Sequence, residues 1–160
     1  MLSDLQRTSL MAELSGLKRF CLSLTGDSAD ADDLLQLTVE RVLERGMPAD
    51  AHVAKWSYRV CRNIWLDELR SREVRQRYVA AASTADSTQP AGTGDGFDRL
   101  ELERVDAAMD GLPEEQRSAL LLVAVEGRSY AEVAEILDIP LGTVMSRVAR
   151  ARRSLAEKLE

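Results

Sequence analysis

Apolar residues recur at three- and four-residue intervals through most of the chain, the spacing that gives one face of an α-helix a continuous stripe. Leu10, Leu14, Leu17 and Cys21 form the first stripe; Leu35, Val39 and Val42 form a second, after a break at Thr25-Gly26-Asp27. Asp30, Asp32 and Asp33 suit the start of that second helix, because carboxylates favour the positive end of the helix dipole. Gly46-Met47-Pro48 ends it. A long helix is then predicted from about His52 to Tyr78, with Trp56, Val60 and Ile64 on one side. No alternating strand pattern with hairpin turns occurs, so the fold class is all-α.

Val79 to Gly96 breaks the pattern. These 18 residues hold no Lys, Arg, Leu or Ile and gather Ser, Thr, Gly and Pro90. They read as a flexible linker whose Ala-rich start can extend the preceding helix. Its r.m.s. reach is roughly 20–25 Å. Two small helical modules result, residues 1–78 and 98–160 around a linker of 79–97, each near the size where a single core becomes marginal. In the second module Asp98 to Met109 reads as one helix, stopped near Gly111. Pro113, Glu114 and Glu115 open another that runs to Gly127. Ser129-Tyr130-Ala131-Glu132 has capping-box spacing, with Tyr130, Val133, Ala134 and Leu137 as the buried stripe behind it. Asp138-Ile139-Pro140-Leu141 is a tight break before a last helix starting near Gly142 or Thr143.

Composition sharpens this picture at three points. The net charge is −6, yet it is unevenly spread: Asp27–Asp50 holds seven acids and two bases, Lys55–Arg77 seven bases and three acids, Gly142–Lys158 five bases and one acid. Two basic segments beside one acidic segment fit a nucleic-acid protein with a separate acidic face for another partner. Cys21 and Cys61 lack CxxC spacing, so neither a disulfide framework nor a zinc site is indicated, and they read as reduced, buried thiols. His52 is the lone histidine, and no GxSxG, P-loop or HExxH string is present. No enzyme chemistry, cofactor or metal is therefore expected. The first ten residues have no basic start before an apolar stretch, and the longest apolar run, Ala119–Val125, is seven residues. A cytoplasmic chain with no membrane insertion is the expectation.

The short helix, turn and last helix make a helix-turn-helix candidate. Val144, Val148, Ala151 and Leu155 should pack inward. Thr143, Ser146, Arg147, Arg150 and Arg153 then point elsewhere, and they are the hydroxyls and guanidinium groups a major-groove reader needs. On the long helix Lys55, Arg59, Arg62 and Arg70 lie near one stripe, interleaved with Trp56, Tyr58, Asn63 and Trp65. Cations beside flat rings suit opened DNA, although a tryptophan on an amphipathic helix is more often core.

Three strings resemble a known family. RFCLSLTGDSADADDLLQLTVERVL (Arg19–Leu43), WSYRVCRNIWLDELRSR (Trp56–Arg72) and the stretch from Leu112 to Leu155 ending GTVMSRVARARRSL together resemble extracytoplasmic-function sigma factors, group 4 of the sigma-70 family. The resemblance covers nearly the whole chain apart from the linker. It implies a region 2 bundle joined to a region 4 helix-turn-helix. It also implies that Asp32, Asp33, Leu34, Gln36, Thr38 and Arg41 dock on the clamp coiled coil of the polymerase β′ subunit, with region 4 near the β flap. The Arg45–Val53 loop and the helix after it would open the minus-ten element, with His52, Lys55, Trp56, Arg59, Arg62, Asn63 and Arg70 toward DNA. Flipping a base costs a few kcal/mol, which a pocket and stacking surface must return. The last helix would read the minus-35 element through Thr143, Ser146, Arg147, Arg150 and Arg153. Core RNA polymerase, promoter DNA and an anti-sigma factor are the partners implied.

Some positions depart from the family pattern. Met145 stands where Lys or Arg is usual, Ala149 where a bulky residue is common, and Leu37 and Val39 replace an acidic residue and Phe. The departures leave open a sigma-like mimic that binds an anti-sigma factor without reading DNA. A dimeric operator-binding repressor is a third reading, but it gives the acidic helix no role.

Overall fold

The computed structural model describes residues 2–80 and 104–159. Helix α1 spans Asp4–Thr25, α2 Ser28–Arg45 and α3 Val53–Ala80. Residues 104–110 form α4; α5 is Glu114–Ala124, α6 Tyr130–Leu137 and α7 Leu141–Leu159. Among the described residues there is no strand. The expected linker lies outside the described residues beyond Ala80, as does the 98–103 part of the expected helix before Gly111.

Each boundary has a local cause. Ser3 and Gln6 form a capping box at α1, each side chain accepting the other's backbone N–H at 3.1 Å. Gln6 then donates through Nε2 to the Pro48 carbonyl at 3.1 Å, tying the start of α1 to the loop before α3. Asp27 caps α2 by accepting the Asp30 N–H at 2.9 Å. Of the three aspartates expected at this N-terminus, only Asp30 lies in the first turn; Asp32 and Asp33 sit beyond it. Helix α5 ends at Ala124, before Gly127, because the chain leaves it through a widened turn. There the Arg128 N–H reaches the Leu122 carbonyl at 3.0 Å and Gly127 takes φ 67°, a left-handed conformation that favours glycine. Helix α7 starts at Leu141, directly after Pro140, slightly earlier than expected.

Helices α1, α2 and α3 pack around Leu17, Phe20, Cys21, Leu24, Ala31, Leu34, Val42, Tyr58, Cys61 and Trp65. The inward stripe of α2 is Ala31, Leu34, Thr38 and Val42; Leu35 and Val39 are only half-buried. The register differs from the one expected because Thr38 satisfies its own hydroxyl, donating to the Leu34 carbonyl at 2.7 Å, and so enters the core without an unpaired polar group. Tyr58 and Trp65 are likewise core residues, at 1% and 4% exposure, and Phe20 meets Tyr58 edge-on at 5.2 Å. The expectation that these two rings face bases is corrected: the apolar side of α3 carries them inward. Cys21 and Cys61, 40 residues apart in sequence, face each other with sulfurs 3.5 Å apart and remain free thiols.

Leu112, Ala119–Leu122, Val133, Ile136, Val144, Val148 and Ala151 form the core of the second unit. The two cores are continuous. Helix α3 packs on α6 and α1 touches α5, so two small units share one buried cluster.

Candidate promoter and polymerase interfaces

The helix-turn-helix is built as its sequence pattern suggests. Ser129 accepts the Glu132 N–H at 3.1 Å, while the Glu132 carboxylate accepts the Ser129 N–H at 3.3 Å. These bonds and Arg128 hold the Glu132 carboxyl below the usual range, the backbone N–H contributing most. Asp138 ends α6 with φ 55°, a conformation that short polar side chains tolerate. In α7 Val144, Val148 and Ala151 are buried, and Leu155 is half-buried. Ser146, Arg150 and Arg153 are exposed on the other side, together with Met145, Ala149 and Arg152. Thr143 is half-exposed, and Arg147 turns toward α5, its guanidinium 3.8 Å from the Glu115 carboxylate. Four of the five expected readers thus share the outer surface of α7, with Arg147 at its edge.

The residues expected on α3 divide into two groups. His52, Asn63 and Arg70 are exposed, Arg70 lying 3.6 Å from Asp67. Trp56 is half-buried in a recess of about 250 Å³ lined by Pro48, Asp50, His52, Lys55 and Arg59 and closed by Glu135 of α6. The remaining cations are either paired or buried. Lys55 pairs with Glu135 at 2.6 Å. Arg59 donates to the Glu135 and Ile136 carbonyls at the end of α6, where a cation meets the last-turn carbonyls and the negative end of the helix dipole. Arg62 is buried, and its Nε has no hydrogen-bond partner. Burial makes Arg62 less basic than an ordinary guanidinium, with Glu114 opposing that effect and Arg147 adding to it.

On α2, Asp32, Asp33 and Gln36 are exposed, Arg41 is half-buried and Leu37 is 49% exposed. Leu34 and Thr38 are buried, Leu34 reaching only the wall of the cavity beside that face. A cavity of about 440 Å³ lies beside this face, its walls including Asp33, Leu37, Arg41, Trp65 and Arg72. Arg72 spans it, 3.1 Å from both Asp30 and Glu68 and 5.2 Å over the Trp65 ring. Arg72 foremost, through its hydrogen bond, holds the Glu68 carboxyl below the usual range.

A third cluster was not expected from the sequence. The Glu126 carboxylate, with no exposed side-chain surface, accepts two bonds from Arg19 at 2.9 and 3.1 Å and one from the Tyr58 hydroxyl at 2.7 Å. Arg128 lies 5.0 Å over the Tyr58 ring and reaches Glu13 at 3.4 Å; Arg117 donates to the Ser23 carbonyl at 2.6 Å. The partners are 68 to 115 residues apart, so no local spacing signals them. Among the described residues no group of acidic, histidine and cysteine side chains could hold a metal ion. No described helix is long and apolar enough to cross a membrane.

A three-helix unit with an acidic face and a cationic long helix, followed by a helix-turn-helix, defines a DNA-directed regulator in two parts. The Sigma-70 region 2 family profile matches residues 10–75, and the Sigma-70 region 4 profile matches residues 102–155. The ECF RNA polymerase sigma factor EcfG of Rhodopseudomonas palustris is 36% identical, over 99% of this chain and 87% of its own length. The sigma factor RpoE of Bartonella quintana, solved with the anti-sigma factor NepR, superposes with a TM-score of 0.75 at 27% identity, over 96% of this chain and 95% of its own. The anti-anti-sigma factor PhyR of the same organism, solved with NepR, is similar in fold alone: TM-score 0.65 at 18% identity, over 95% of this chain and 49% of PhyR. The chain belongs to the extracytoplasmic-function sigma factors of the sigma-70 family.

Proposed function

We propose that the chain is a promoter-specificity subunit of bacterial RNA polymerase, working in the cytoplasm without catalytic chemistry of its own. In this reading residues 1–78 are region 2, residues 98–160 are region 4, and 79–97 join them. The exposed acidic face of α2, with Asp32, Asp33, Gln36 and Arg41, meets the β′ clamp coiled coil, Leu37 adding apolar contact. Leu34 and Thr38 support that face from within. The loop before α3, with His52, Lys55, Trp56, Arg59, Arg62, Asn63 and Arg70, takes the opened minus-ten strand. Thr143, Ser146, Arg147, Arg150 and Arg153 read the minus-35 element.

The observation that carries the reading is α7 itself. Its buried Val144, Val148 and Ala151 fix the helix against α5 and α6, and the opposite side then offers Ser146, Arg150 and Arg153 to solvent. A mimic that met only a protein would have no use for that cationic side. Control by an anti-sigma factor is carried over from RpoE, which was solved with NepR. Run-off transcription with purified core polymerase on a promoter library tests the reading. Transcripts sharing two upstream elements support it. Silence from folded protein with active core overturns it in favour of the anti-sigma-binding mimic.

A further inference from the structure

We propose that Gln6, on α1 and outside the set of residues that would touch DNA, governs minus-ten selectivity by holding the loop before α3 in place. The proposal rests on that loop and α3 being the minus-ten surface.

The loop, residues 46–52, is fixed at its two ends by its own neighbours. Gly46 leaves α2 with φ 69°, a left-handed value that favours glycine, while its N–H still reaches the Val42 carbonyl at 2.9 Å. His52 meets α3, its carbonyl accepting the Trp56 N–H at 3.0 Å and its Nδ1 facing the Lys55 N–H at 3.5 Å. Between these ends Pro48, Ala49 and Asp50 are exposed. Pro48 has no N–H through which to be anchored. Its carbonyl is the anchor instead, accepting the Ala51 N–H at 3.0 Å and Gln6 Nε2 at 3.1 Å. Among the described residues, Gln6 is the one side chain of another helix that hydrogen-bonds residues 47–51.

Packing does not replace that bond. A cavity of about 360 Å³ lies between the loop and α1, with Gln6, Ser9, Glu13, Ala49 and Ala51 in its walls. On the other side of the loop is the recess of about 250 Å³ beside Trp56, walled by Pro48, Asp50, Ala51 and His52. Ala51 and His52 line both spaces, so the loop is a thin partition whose position sets the width of the recess. The Gln6 amide spans the gap in one orientation. Its Oε1 accepts the Ser3 N–H at 3.1 Å while its Nε2 serves Pro48; the reverse would set donor against donor and acceptor against acceptor. Gln6 is only 9% exposed, which shields the bond from competing water. A base held in the recess is thus selected by a wall that Gln6 positions, while Gln6 itself stays clear of the base.

Two full-length variants separate this tether from the helix cap. Gln6→Glu keeps an oxygen for the Ser3 N–H, and a carboxylate suits this first-turn position, but it cannot donate to Pro48. Ser3→Ala removes the hydroxyl that caps α1 and leaves the Gln6 donor in place. Helical circular dichroism establishes folding of both. Hydrogen exchange read by mass spectrometry should show residues 46–53 exchanging about fivefold faster in Gln6→Glu, the change that losing one ordinary hydrogen bond allows. Ser3→Ala should leave that exchange unchanged. Run-off transcription with core polymerase then compares a recovered promoter with its single-base variants. The yield ratio between preferred and substituted minus-ten bases should fall about fivefold in Gln6→Glu, with the minus-35 ratios unchanged. Ser3→Ala should keep both sets of ratios. Wild-type exchange or wild-type minus-ten ratios in Gln6→Glu, an equal loss at both elements, or the same loss in Ser3→Ala overturns the proposal. If the wild type recovers no promoter, the function reading fails and this proposal with it; unchanged ratios on a working promoter sink this proposal alone.

Discussion

Gly16 lies in α1 where the Tyr58 hydroxyl comes closest. A Cβ added there would stand 2.8 Å from Tyr58 Oη, with its next neighbours, Glu126 Oε1 and Arg19 Nη2, at 3.6 and 3.7 Å. Gly16→Ala therefore sets two effects against each other. Helix propensity gains about 1 kcal/mol. Against that, the phenol must retreat, and its 2.7 Å bond to the Glu126 carboxylate lengthens or breaks. A hydrogen bond to a charged group is worth about 1.5–3 kcal/mol, so the net result is a loss of about 0.5–2 kcal/mol.

Tyr58→Phe changes the sign. Without the hydroxyl, nothing lies closer to the added methyl than ordinary contact at 3.6 Å, and the propensity gain of about 1 kcal/mol stands alone. Urea unfolding of the full-length chain and its three variants completes a double-mutant cycle, with an expected coupling of about 1.5–3 kcal/mol. If Gly16→Ala shifts stability equally whether or not Tyr58→Phe is also present, the phenol does not bridge α1 to Glu126, and this account of the cluster is refuted.

Ser129→Ala should cost about 1 kcal/mol by urea unfolding, since it removes the side-chain acceptor at the start of α6. Because the folded-state Glu132 carboxyl sits below its unfolded value of 4.5, its contribution is present above that pH and is lost as pH falls through the folded value; Glu132→Gln should flatten this part of the stability–pH curve. Arg150→Ala should weaken promoter binding by about 1–3 kcal/mol in a mobility-shift titration while leaving helicity intact; equal affinity would remove Arg150 as a reader. The Asp33→Ala, Gln36→Ala pair should lose assembly with core polymerase on a sizing column, with circular dichroism unchanged.

Much of the fold was legible in the sequence because its signals are local. The Ser129–Glu132 box, the Val144-to-Leu155 stripe and the Gly26 and Gly46 breaks each act within a turn or two, and each falls where the chain places it. The errors at α2 and at Tyr58 share one cause: a stripe read from residue type alone misjudges polar side chains whose hydroxyls find a partner inside the fold. Thr38 enters the core because its hydroxyl bonds one turn back, and this turns the stripe of α2 toward Leu34 and away from Leu35. Tyr58 enters because its hydroxyl finds Glu126, 68 residues away. That pairing, like the cysteine contact and the Arg59 bonds to α6, depends on how helices distant in sequence meet. Hydrophobic periodicity holds no record of it.

The charge pattern takes on a second meaning from these contacts. Seven bases along α3 and an acidic chain overall looked like two separate surfaces, one for DNA and one for protein. The fold supplies several of these bases with acceptors of its own: Glu135 meets Lys55, the end of α6 meets Arg59, and Asp30 of α2 meets Arg72. Each of these oxygens offers a cation the same chemistry as a phosphate, at short range and without losing counterions to solution. A phosphate approaching Lys55 or Arg59 would compete with an acceptor that the fold already supplies. An acidic chain can in this way carry strongly cationic helices without free protein collecting on nonspecific DNA, whose attraction depends on the exposed positive field. A net charge of −6 is then compatible with a strongly cationic α3 in the same chain.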